Sequence, residues 1–355
     1  VHVKTSIKIL LLELEEPFRI ARGTSSVREN VLLEVEAGGL VGRGEAAPIR
    51  RYRQDAASTR AALEQMTEAL TLENLREFAT FAARASLPGQ RAAQAALDVA
   101  LHDWRARELG IPVQQLLGLP RKPIPPTSWT IGLDPIPEAL EKVKKAAGFE
   151  VLKLKMGSDF DLELLEAVRA TTQQPLRVDA NEGWDLAGAM YRLPVLERCG
   201  VEFIEQPLPA GCLEETATLR RASRIPILAD EDVHVASDIP KLLGAYDGIN
   251  VKLAKCGGIQ PALELIHTAR AHGMKILLGC MIESSLGIAA ALVLAPLVDW
   301  LDLDGSLLLR RDPFQGLRCV HGRFSMPEGP GLGVEPANGA TRTAPPSTPE
   351  VLPSS

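Results

Sequence analysis

Three carboxylates recur at nearly one interval in this chain: Asp179, Glu205 and Asp230, spaced 26 and 25 residues apart. Each closes a short apolar run of β character, in "LRVDAN", "VEFIEQP" and "IPILADE". Their donors are all oxygen, which suits Mg2+ or Mn2+ and not zinc, whose sites favour His and Cys. A single acid of this kind reads better as a strand-end cap or a salt-bridge partner. Three on one repeat would repel one another at a common mouth without a cation.

Lysines stand in the same pattern. "EVLKLKM" carries Lys153 and Lys155 two residues apart, so both face one side of a strand while Leu152 and Leu154 face the other. Structural salt bridges to neighbouring strand-end acids are the plainer reading. The chemical reading is that a nearby ammonium and a divalent cation depress a lysine from its usual pKa of about 10.4, making it a base near neutrality. Lys252, in "GINVKLA", follows four strands later. Lys255 is offset from it by an odd number of residues and is expected to point away.

A metal that binds a substrate carboxylate stabilises the dianionic enediolate left when the α-proton departs. A base on each face can remove that proton from one side and return it from the other. The chemistry implied is racemisation or epimerisation.

Positioning these groups requires elements of matching count. From residue 127 onward eight β-rich runs appear, beginning at about 127, 150, 176, 201, 225, 248, 275 and 300, with amphipathic stretches such as "LELLEAVRATT" between them. Eight strand–helix units fit a (β/α)8 TIM barrel, in which chemistry collects at the C-terminal ends of strands. Neither GxGxxG nor a P-loop is present. Ahead of the barrel, "SIKILLLELEEPF" and "ENVLLEVEAGGLVGRGEAAP" alternate as antiparallel strands, and helical patterns follow at 56–70 and 89–110. The expected organisation is an α+β capping domain over 1–120, the barrel over 121–326, and a C-terminal segment over 327–355. That segment packs partly on the cap and is expected to be disordered from about 338, where Pro, Gly, Ser and Thr dominate.

Composition narrows the function classes. The 355 residues are 46% hydrophobic and 24% charged with net charge -6, which offers no basic surface for nucleic acid or anionic membrane. Five cysteines without a CxxC pair argue against a disulfide framework or a zinc cluster, so a reducing cytoplasm is expected. No apolar run reaches membrane-spanning length. The chain opens on Val1 and not Met, leaving room for a removed leader.

The ordered set "KLK", "DANEGW", "EQP", "ADED" and "NVKLAKCGG" behind an α+β cap resembles the enolase superfamily, in its muconate-lactonising subgroup, over roughly residues 5 to 330. The resemblance implies that Asp179, Glu205 and Asp230 bind Mg2+, with Mn2+ an alternative. It implies that Lys155 and Lys252 are the acid/base pair, that Lys153 supports Lys155 and the substrate carboxylate, and that Asn181 and Glu231 stand behind the ligands. "GCMIESSLG" followed by "DLDG" is similar to the dipeptide epimerases, where Asp302 and Asp304 hold a substrate α-ammonium, a role suited to two carboxylates on one strand face. An alternative for that pair is a helix N-cap.

Loops at 19–30 and 48–55 are then expected over the mouth. Arg22, Thr24, Arg50, Arg51, Tyr52 and Arg53 are candidates for the second residue's side chain, with Thr130, Met281 and Glu283 as further substrate contacts. Inward arginines would favour an acidic second residue. The segment "RYRQD" departs from a family pattern nearer "RYGE", so specificity does not carry over. The expected activity is Mg-dependent epimerisation of the C-terminal residue of an L,L-dipeptide by a homo-oligomer. The alternatives are an N-acyl amino acid racemase, an o-succinylbenzoate synthase, a muconate cycloisomerase, or a metal-binding barrel without catalysis.

Overall fold

A computed structural model describes residues 2–21, 23–120 and 122–337. Arg22 and the segment from 338, for which disorder is expected, lie outside the described residues.

The N-terminal unit is a three-stranded antiparallel sheet, β1 (Lys4–Ile20), β2 (Gly23–Ala37) and β3 (Leu40–Ala46), covered by helices. Alternation decides its faces: Val31, Leu33 and Val35 are buried against the helix Arg91–Leu109, while Glu34 and Glu36 turn outward. That helix lies close on β3, where a side chain at Gly42 or Gly44 would collide with Ala100, Trp104 or Ala96. It ends at Gly110, whose φ of 69° is the left-handed turn that glycine makes cheaply.

One expectation fails here. Residues 19–30 are not a loop: β1 and β2 stay paired through Ile20 and Gly23, with a register shift between Glu13 and Phe18, so the segment is the end of a long ribbon. At Arg19 the ribbon reaches the barrel, where Leu133 donates its N–H to the Arg19 carbonyl at 2.9 Å.

The barrel strands are β4 (Ser128–Ile131), β5 (Val151–Lys155), β6 (Leu176–Asp179), β7 (Val201–Glu205), β8 (Ile227–Ala229), β9 (Gly248–Val251), β10 (Lys275–Gly279) and β11 (Trp300–Asp302). They pair in parallel in chain order, and a bridge between Thr127 and Leu301 closes β11 on β4. All eight expected runs form strands, shorter by a residue or more at most ends. Asp230, Lys252 and Asp304 therefore lie just beyond their strands and not within them.

The interior is layered. Phe203, Leu228 and Leu277 pack together with Trp300 deep in the barrel. Two residues further along the same strands stand Glu205, Asp230, Gly279 and Asp302, so the period of two that buries the apolar plug delivers the charges to the mouth.

Cap and barrel share buried polar contacts. Asp98 of the helix Arg91–Leu109 accepts the N–H of Ile259 at 2.6 Å, capping the barrel helix Ile259–Ala271. Asn30 donates to Glu45 at 2.6 Å and to the Ile282 carbonyl at 3.0 Å, and Glu45 accepts from the Ser284 backbone and hydroxyl. After the barrel the chain returns to the cap, where Glu335 accepts from Arg43 at 2.9 Å and from Arg107 at 2.6 Å.

Candidate active site

Lys153 Nζ donates to Glu205 at 2.6 Å and to Asp302 at 2.6 Å, and lies 3.1 Å from Asp179. One lysine on β5 can reach β7 and β11 together only through the barrel interior, which settles the face that both lysines share. Lys155 donates to Asp179 at 2.6 Å, beside it in register. On the other side Lys252 donates to Asp230 at 2.8 Å. Asn250, also interior, donates to Glu205 at 2.7 Å, and Gly279 leaves the space that Asn250 fills.

Burial penalises charge here, and the partners decide which group keeps it. Asp179 is held below the usual carboxylate range: burial opposes this, but Lys155 and Lys153 outweigh it. Asp230 is likewise depressed against burial by Lys252 and Lys255. Glu205 goes the other way, raised by burial and by Asp179. Lys153 and Lys252 are raised by the protein's own charges. Burial favours their neutral forms, yet Asp302 and Glu205 hold Lys153, and Asp230 and Glu205 hold Lys252, above the ordinary lysine value. The protein's own charges raise these lysines because each ammonium faces more than one acid.

Lys255 also differs from expectation. It does not point away but donates to the Asp230 carbonyl at 2.5 Å, to the Asp230 carboxylate and to the Asn250 carbonyl at 3.1 Å. The chain leaves the strand at Lys252 and turns into the helix Leu253–Cys256, so strand alternation no longer sets its direction.

Asp302 accepts from Ser128 Oγ at 2.7 Å as well as from Lys153. Asp304 precedes the short helical turn Gly305–Leu308 without capping it through its side chain, and accepts the Thr130 N–H at 2.7 Å. The two are not both on a strand as expected, because β11 ends at Asp302. Burial and Asp302 push Asp304 up to about 6. Glu283, which accepts the Met281 N–H at 2.8 Å, is pushed up to about 8 by burial and Glu45.

Other candidates are placed less centrally. Thr24 is exposed on the ribbon, where Arg19 donates to its hydroxyl at 3.3 Å. Arg51 is engaged in a two-pronged ion pair with Glu182, at 3.1 and 2.8 Å, and Tyr52 packs edge-on against His234 with ring centroids 5.0 Å apart. Asn181, at φ 47°, donates its N–H to Asp179 at 3.0 Å, and Glu231 is buried next to Asp230.

Sequence reasoning missed Asn250 and Gln206. Gln206 Oε1 accepts the Asp230 N–H at 2.9 Å, and its amide donates to Asp232 at 2.9 Å and to Tyr246 at 3.0 Å. The polar alternation of "GINVK" carried the signal for Asn250, since an amide two residues before Lys252 shares its face. "CGG" carried another: a side chain at Gly258 would fall 2.5 Å from Asp98 and one at Gly257 would fall 2.8 Å from Gln94, so these glycines admit the cap helix.

Among the described residues, no three acidic, histidine or cysteine side chains close around a point as metal ligands do. Each acid of the trio leans on an ammonium instead. The donor set nonetheless fits a hard cation. Asp179, Glu205, Asp230, Glu231, Asp302 and Asp304 are six buried carboxyl groups against four buried ammoniums, Lys153, Lys155, Lys252 and Lys255, an excess of negative charge with oxygen donors throughout.

Residues 136–340 match the enolase C-terminal domain-like family, and residues 4–118 match the mandelate racemase / muconate lactonizing enzyme N-terminal domain. An L-Ala-D/L-Glu epimerase of Bacteroides thetaiotaomicron is 36% identical over 91% of this chain and 85% of its own. An L-Lys-D/L-Arg epimerase of Methylococcus capsulatus is 38% identical over 90% and 95%. The crystal structure of a dipeptide epimerase from Cytophaga hutchinsonii, complexed with Mg and the dipeptide D-Ala-L-Val, superposes with a TM-score of 0.90 at 27% identity, covering 94% of this chain and 96% of that one.

Proposed function

Because the chain belongs to the enolase-like family with a mandelate racemase / muconate lactonizing N-terminal domain, we propose that it is a Mg2+-dependent dipeptide epimerase inverting the α-carbon of the C-terminal residue. The observation that carries this is the pair Lys155 and Lys252: both buried, on opposite sides of one acid-lined interior, each held by a different carboxylate. One such lysine supports deprotonation; two opposed lysines support inversion.

Asp179, Glu205 and Asp230 would hold the cation, with Mn2+ an alternative to Mg2+. A bound divalent ion supplies positive charge to the substrate carboxylate as the α-proton leaves. Lys155 takes or returns the proton on one face and Lys252 on the other, each needing to be neutral when it acts as base. Lys153, clasped by Glu205 and Asp302, stays charged and supplies a fixed ammonium beside the substrate carboxylate. Asp304 provides the counter-charge for the free α-ammonium. Its raised pKa reflects a buried carboxyl whose near neighbour is another acid, and a cationic group set against it would relieve that. Asp302 is already shared between Lys153 and Ser128, so it orients the pocket floor and adds to the same negative field.

The relatives act on, or are bound to, dipeptides with acidic, basic and apolar second residues. With Arg51 committed to Glu182, that arginine is engaged away from an acidic second residue. A panel of L,L-dipeptides with Glu, Val and Arg in second place, incubated with enzyme and Mg2+ in D2O, tests the assignment by mass gain and chiral analysis. Deuterium uptake with inversion is expected for at least one free dipeptide and not for its N-acetylated form. Preference for the N-acetylated form overturns the dipeptide reading in favour of an N-acyl amino acid racemase.

A further inference from the structure

The turn Arg50–Tyr52 of the cap meets two of the three loops that follow the strands leading to Asp179, Glu205 and Asp230, and Glu182 links it to the third. Arg51 grips both oxygens of Glu182, three residues after Asp179. Glu182 in turn accepts the Ala210 N–H at 2.9 Å, five residues after Glu205, and donates its own N–H to the Gln206 carbonyl at 2.9 Å. Tyr52 stands edge-on to His234, four residues after Asp230. Gln206 and Asp232 knit the last two of these loops together, through the Asp230 and Gly211 N–H groups.

Backbone strain makes that corner dependent on its partners. Asn181, Glu182 and Gln206 have φ of 47°, 67° and 32°, a region that side-chain-bearing residues seldom occupy. Glu182 therefore holds its position because Ala210, Gln206 and Arg51 fix it from three directions. Its side chain is largely buried while that of Arg51 is 42% exposed, so the cap approaches as an outer fork closing on a seated carboxylate.

We propose that Arg51 is a positioning residue for the divalent-cation site: the docked cap turn clamps the loops behind the three carboxylates, so that cap docking and Mg2+ binding favour each other. This rests on Asp179, Glu205 and Asp230 being the ligands. The coupling is reciprocal, as any linkage between two equilibria must be. Removing the fork lowers cation affinity, and binding the cation slows opening of the turn. Arg51 touches no substrate in this role, and its partial exposure keeps the effect modest.

The test is calorimetric titration of the protein with Mg2+ alone, for wild type, Arg51→Met, Arg51→Lys and Glu205→Gln, with hydrogen exchange at the amides of Tyr52 and Arg53 read with and without Mg2+. The expected result is a Kd about fivefold weaker in Arg51→Met, a smaller loss in Arg51→Lys, which keeps the charge without the fork, and Mg2+-dependent protection of the turn in wild type that Arg51→Met lacks. Unchanged Kd in Arg51→Met, with binding abolished in Glu205→Gln, overturns the clamp and leaves the ligand assignment standing. Wild-type Kd in Glu205→Gln overturns the ligand assignment itself. Loss of affinity in Arg51→Met without any Mg2+-dependent protection of the wild-type turn also overturns the coupling.

Discussion

Lys153 and Lys155 are two residues apart on β5, and their surroundings give them different work. Lys153 pairs with Glu205, Asp302 and Asp179 together and is locked as an ammonium, whereas Lys155 donates to Asp179. Lys153→Met strands these buried acids without their shared cation. It should cost about 3–5 kcal/mol of stability, read as the loss in chemical unfolding; a loss below about 1 kcal/mol contradicts the role assigned to it. Glu283 makes a second prediction at this scale. It titrates near 8 when folded against an ordinary 4.5, because it is buried near Glu45. As pH rises the unfolded chain releases this proton first, so from about 4.5 to about 8 the group removes up to roughly 1.4 kcal/mol of folding stability per pH unit. Glu283→Gln should therefore gain on wild type progressively between pH 5 and 8 in thermal unfolding, and parallel pH curves would refute the shift. Both lysines and all three acids of the trio were legible in the sequence because strand alternation and a 25-residue repeat are one-dimensional signals. The sharing of Lys153 among three strands was not, since it depends on which strands face each other across the barrel.

At the scale of elements, all eight barrel strands were legible but ran one to four residues too long at their C-terminal ends, and the errors fall where chain direction changes. Strand alternation misleads at Lys255 because a helix begins at Leu253, and in the 19–30 segment polar residues such as Arg19, Thr24 and Arg28 hide a ribbon that is solvated on its outer side. The pair Gly257–Gly258 is the clearest element-level contact that the sequence left unexplained. With φ of 119° and Asp98 pressed against it, Gly258 lets the cap helix cap the barrel helix Ile259–Ala271. Gly258→Ala adds both a disfavoured backbone and a clash at that seam. It should destabilise the protein by about 2–4 kcal/mol, seen as a lower urea midpoint, and a change within experimental error would show that the seam yields without cost.

For the molecule as a whole, the barrel gathers an excess of carboxylates that its own lysines do not balance, and the cap is bonded across the strand ends that carry them. Mg2+ should raise the thermal midpoint saturably, and chelation should lower it and abolish turnover together, because an ion that binds only the folded chain stabilises it by mass action. A midpoint indifferent to Mg2+ and EDTA would contradict the charge account. The central claim is that Lys155 and Lys252 work from opposite faces of one α-carbon. It is tested most directly by incubating Lys155→Ala and Lys252→Ala with each epimer of the turned-over dipeptide in D2O and following the α-proton by NMR. Neither variant should epimerise, and each should exchange the α-proton of one epimer only, the two variants choosing opposite epimers. Epimerisation at the wild-type rate by either variant would contradict it.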